Sequence, residues 1–120
     1  MVQSIQRGEL MGKIRAIVKR ADELVGHVVY ISNTLENFQK IVGGYIETVT
    51  FPGNVVIICN EEGLLQKKPF NCSIFPEGAY RAMHFVGDII AVGVNGDEFG
   101  DIPIDIECWK QVYLGMEVKA

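Results

Sequence analysis

The chain has 120 residues, 48% of them hydrophobic and 22% charged, a balance that predicts a folded core in one domain and excludes a disordered chain. Eleven Lys+Arg against fifteen Asp+Glu leave a net charge of −4, which excludes a general nucleic-acid binder, because such a protein needs a basic face to displace counterions from phosphates. No stretch is long and apolar enough for a membrane span, and Met1-Val2-Gln3-Ser4-Ile5-Gln6-Arg7 lacks the apolar centre of a signal peptide, so a cytosolic protein is expected.

Residues 1–12 read as a leader and 13–120 as a single domain. Residues 13–20 loosely alternate apolar and charged side chains, as a half-buried strand does. His27–Ser32 is a second strand, rich in β-branched and aromatic residues. A short helix follows. Asn33 is the expected N-cap, Glu36 makes a near capping box, and Leu35, Phe38, Ile41 and Val42 share a face. Gly43-Gly44 ends the helix. A helix of only about ten residues is marginal alone, so it must lean on a sheet.

Tyr45–Phe51 reads as a strand, Pro52-Gly53-Asn54 as a turn, and Val55–Cys59 as a central strand covered on both faces. Asn60-Glu61-Glu62-Gly63 turns the chain again. Residues 64–82 suggest an irregular segment over the core edge. Asp88–Asn95 is a strand and Gly96–Gly100 a loop. Asp101-Ile102-Pro103 leads into a final helix, with Ile106, Trp109, Val112 and Tyr113 on one face and Gly115 at its end. The expected fold is a small α+β domain: a mostly antiparallel sheet with two short helices.

Catalytic constellations are not apparent. His27 and His84 are the only imidazoles, and neither has a sequence neighbour that makes a dyad. Cys59, Cys72 and Cys108 are too dispersed for a disulfide framework or a metal knuckle and read as free, packed thiols. The run Asn95–Gly100 has the outline of a calcium loop, but Phe99 falls at a coordinating position and no Glu stands at the twelfth. The acids at 97, 98, 101, 105 and 107 more simply form a solvated surface and a helix start. No metal and no cofactor is expected, and the chain is expected not to be an enzyme. Phe85 before Gly87, and Asn95 at the end of the next strand, are an aromatic and an amide that could stack a base and read its edge. From spacing alone, Phe85 reads more simply as core and Asn95 as a turn residue before Gly96.

Four motifs in order, Ile41-Val-Gly-Gly-Tyr-Ile-Glu-Thr-Val49, Val55–Gly63, Lys68-Pro-Phe-Asn71 and Val86–Gly93, resemble those of a phage and mobile-element family of unknown function. Within that neighbourhood the chain is similar to the Thoeris anti-defence 1 proteins of phages. The resemblance implies a sponge in the host cytoplasm. Such a protein binds the glycocyclic ADP-ribose signal of bacterial TIR enzymes without cleaving it. It also implies a homodimer or higher homo-oligomer, some relatives holding cyclic oligonucleotides in a separate pocket, and no polymeric nucleic acid or membrane as partner. By the same resemblance Phe85 would stack adenine and Asn95 would make a polar contact. Family basic residues near the C-terminus reduce here to Lys110, with Arg81, Lys67 and Lys68 as alternative cations. Asn71 is a family mark that would contact ligand or shape a turn. A different class of function is a protein–protein inhibitor that caps a host defence protein through the acidic 97–107 surface.

Overall fold

The computed structural model describes residues 12–75 and 80–116; the expected leader lies, Gly12 apart, outside them. The elements in order are β1 (Lys13–Lys19), β2 (His27–Ser32), α1 (Leu35–Val42), β3 (Ile46–Phe51), β4 (Val55–Asn60), β5 (Phe70–Ile74), β6 (Met83–Val86), β7 (Ile89–Asn95), β8 (Glu98–Gly100) and α2 (Ile106–Cys108). A π turn, Trp109–Tyr113, continues α2. The main sheet runs β2-β1-β7-β4-β3, with β8 added beside β7, and β5 and β6 form a separate two-stranded ribbon. Every pairing is antiparallel. This is the α+β domain the sequence predicts. Among the described residues no helix is long and apolar enough to cross a membrane.

The strand period of two divides the core between the sheet's faces. On one face Ile14, Ala16, Val18, Val56, Ile58, Ile90 and Val92 meet Phe38 and Val42 of α1. On the other, Ile17, Val55, Ile57, Ile89 and Ala91 meet Cys72, Ile74 and Phe85 of the ribbon, with Ile102 and Trp109 from the C-terminal segment. All six residues of β4 are buried, as a strand covered on both sides must be.

Four local expectations need correction. Thr34, not Asn33, caps α1: its backbone is extended and its hydroxyl accepts the Asn37 N–H at 3.1 Å. Asn33 instead donates its side-chain amide to the Phe99 carbonyl. Residues 64–82 are not wholly irregular: they contain β5, and β6 follows, because Cys72, Ile74 and Phe85 supply a buried face that lets the ribbon pack on the sheet. The loop after Asn95 is a hairpin whose turn is Gly96-Asp97, with Asn95 opposite Glu98. The last helix is a single α turn followed by the π turn, where the Leu114 N–H reaches the Trp109 carbonyl five residues back at 2.9 Å. That wider winding turns Val112 to solvent, 64% exposed, while Trp109 is fully buried and donates its indole N–H to the Val25 carbonyl.

Candidate functional site

The expected ligand residues do not come together in one copy of the chain. Phe85 is 4% exposed and packs in the core under the ribbon. It lies at the Cys59 end of the sheet, beside the groove described below. Asn95 is exposed at the other end of β7. Six residue steps from Ile89 to Asn95 span about 20 Å at roughly 3.3 Å each, too far for one adenine to meet both side chains. Phe85 is therefore core and Asn95 a hairpin residue. Lys110 stands on the π turn, 3.7 Å from the Glu107 carboxylate. Arg81 is exposed just before β6. Lys67 is exposed, and Lys68 runs past Gly87 to Gly43, where its ammonium meets the negative end of α1.

Asn71 is a buried tie within the fold. Its side-chain amide donates to the carbonyls of Lys19 at 2.8 Å and Gly87 at 2.7 Å, and its oxygen accepts from the Lys19 ammonium at 2.9 Å. Lys19 is itself 3% exposed, and its other acceptors are the carbonyls of Glu23 and Asn71. The pair stitches β1 to β5 and to the start of β7. Asn71→Leu would leave a buried ammonium short of an acceptor and take a donor from two carbonyls. We expect a loss of about 3 kcal/mol in urea unfolding, and a smaller loss for Lys19→Met, which removes the charge together with its needs.

A groove of about 450 Å³ lies between β6 and the turn that follows β4. It exists because the ribbon seats its Cys72, Ile74 and Phe85 face on the sheet but covers only part of it. Met83–Val86 form one wall and Glu61–Leu65 the other. Val49 and Cys59 line it from the sheet, and Glu47 completes a rim of three glutamates with Glu61 and Glu62. The turn is fixed by Asn60, which accepts the Glu62 N–H at 2.7 Å and donates to the Val42 carbonyl at 3.1 Å. Gly63 allows Val86 to approach: a Cβ there would stand 2.7 Å from a Val86 methyl. Leu64 and Leu65 are 80% and 81% exposed.

Neither buried thiol near this groove is a nucleophile at neutral pH. Burial pushes Cys59 up to about 11, with the Glu47 carboxylate adding to the shift. Burial also pushes Cys72 up to about 11, against the opposing charge of Lys19. A chromogenic thiol reagent at pH 8 should therefore take up one equivalent quickly, at the half-buried Cys108, and two more only on unfolding. Both folded values exceed the ordinary 9.0, so the stability they carry is whole below pH 9 and is lost as pH rises through about 11.

One pairing was invisible in the sequence. Ser73 and His84 face each other across the ribbon, with Ser73 Oγ 2.7 Å from His84 Nδ1. That is nucleophile-to-base distance, but a dyad also needs a group that orients the imidazole. The neighbour here is the Phe70 ring, 6.4 Å away between centroids, and no carboxylate is bonded to that imidazole among the described residues. His27 is held by Glu23 at 2.9 Å in the β1–β2 turn. The Arg20 N–H foremost, and then His27, hold the Glu23 carboxyl below its usual range.

Residues 14–113 match the sequence profile of a family described as a domain of unknown function, DUF3846. No curated protein and no solved structure matches the chain.

Proposed function

The chain belongs to the DUF3846 family, and from that footing we propose that it is a stoichiometric binder that caps another protein through the groove beside β6. The groove itself carries the reading: an apolar bed at Val49 and Cys59, a rim of three glutamates, and two leucines held out in solvent. Charged rims with exposed apolar anchors are what protein partners use for steering and burial. The resemblance to phage anti-defence proteins supplies the setting, a defence protein met in the host cytoplasm. The acidic 97–107 surface is a weaker candidate for this contact because several of its acids are already engaged. Asp101 accepts the Arg15 N–H, Asp105 caps α2, and Glu107 lies beside Lys110.

A second reading, sequestration of a cyclic ADP-ribose messenger, is favoured by the groove's volume of about 450 Å³ and by Arg81, two residues ahead of Met83 at the groove's end. Small-molecule sites run from roughly 300 to 1,000 Å³. The three glutamates oppose a diphosphate, which would have to turn toward Arg81 or toward cations of a neighbouring copy.

Photo-crosslinking in the cell separates the two. A benzoylphenylalanine at Leu65 should trap one protein reproducibly. The same residue at Val112, exposed on the π turn, should not, and Glu61→Lys with Glu62→Lys should abolish the adduct. No adduct from Leu65, together with saturating heat on titrating cyclic ADP-ribose into the purified chain, would replace the capping reading with the sponge.

A further inference from the structure

Four consecutive residues of β6, Met83, His84, Phe85 and Val86, border the groove, whereas no residue of β5 does. Side chains alternate between the two faces of a strand, so a groove against either face would meet every second residue. Contact with the whole run places the groove along the strand's edge. β6 pairs with β5 and with no other described strand. Its outer row of N–H and C=O groups therefore lines the groove, and an open strand edge is a template for another strand.

Charge narrows the occupant. Glu47, Glu61 and Glu62 stand around the groove, and among the described residues no lysine or arginine lines it. A second copy docking the same edge would set its own three glutamates against these, and like charges brought together in an interface are costly. A basic segment gains where that copy loses. Apolar side chains on the segment would meet Val49 and Cys59 below and the exposed Leu64 and Leu65 at the side.

We propose that the groove takes an extended segment of a partner protein, with lysine or arginine alternating with apolar residues, which adds to β6 as the third strand of the ribbon. The inference rests on the capping reading and names the partner chemistry for that same site. The four residues of β6 extend about 13 Å at roughly 3.3 Å per residue, so the docked segment is about as short.

The probe is a capped heptapeptide of alternating lysine and valine, titrated into the ¹⁵N-labelled full chain. Its amide shifts should map to Met83–Val86 and to Glu61–Leu65. A glutamate–valine peptide should bind at least about tenfold more weakly, because it meets the glutamates with like charge. The lysine–valine peptide with its backbone nitrogens methylated should also lose about tenfold, because it cannot donate to β6. Equal binding by the methylated peptide would reduce the effect to charge attraction and overturn strand addition. Shifts that miss β6, equal binding by the acidic peptide, or no binding at all would overturn it as well. Should the peptides fail while the Leu65 crosslink persists, strand addition falls and the capping reading stands; should both fail, so do both readings.

Discussion

Gly93→Ala should cost about 3 kcal/mol or more and lower the melting temperature by about 10 °C or more, if the variant folds at all. The reason is a crossing of chains. After β8 the backbone turns back over β7, and Asp101 and Ile102 are tied to Arg15 of β1. The Arg15 N–H donates to the Asp101 carboxylate at 2.8 Å, and the Ile102 N–H to the Arg15 carbonyl at 2.8 Å. At the crossing, a Cβ on Gly93 would stand 2.1 Å from the Asp101 carbonyl oxygen and 3.2 Å from Pro103 Cδ. The first is a backbone atom in a strap anchored on both sides, so it cannot swing away as a side chain could. Gly96→Ala is the control. Its φ is +66°, but no described atom lies within 4 Å, so it should cost only about 1 kcal/mol. Thermal melts of the two variants separate a steric demand from a conformational one.

Phe85→Ala should behave as a core truncation and lose about 3–5 kcal/mol. Phe85 sits opposite Cys72 in the ribbon and packs with Ile74, Ile57 and Ile89 in one cluster. Its ring is what presses the ribbon onto the sheet, so the groove beside β6 should loosen with it. Were Phe85 an open stacking platform, the same change would leave the melting curve where it was. Phe70→Ala, at a ring 59% exposed on the same ribbon, should stay within about 0.5 kcal/mol of the parent. A urea titration of both variants tests the contrast.

Strong local patterns carried most of the fold into the sequence. The unbroken apolar run of β4, the glycine that closes α1 at φ 81°, and the β-branched run of β7 are each decided by neighbours a few residues away. What was not legible depends on distant pairing. β5 alternates apolar and polar residues over only five positions, and its partner strand begins nine residues beyond its end. Only when β1, β5 and β7 are brought together does Asn71 become the tie between them, and only the ribbon register sets Ser73 against His84. Asn33 and Thr34 are adjacent and both suited to capping, so sequence alone had no means to choose. Val112 falls on the buried face only for a 3.6-residue period, whereas the chain there winds in a π turn. The groove was the least legible feature: its walls come from segments some twenty residues apart, and only the placement of the ribbon on the sheet creates it.

Hydrogen exchange at the backbone amides of β6 tests the central claim most directly, measured on the full chain alone and with the protein trapped through Leu65. Outward-facing amides among Met83–Val86 should slow by at least about tenfold in the complex, as new interstrand hydrogen bonds would require, while those of the main sheet stay as they were. Unchanged exchange along β6, with slowing instead around Asn95 or Lys110, would contradict it.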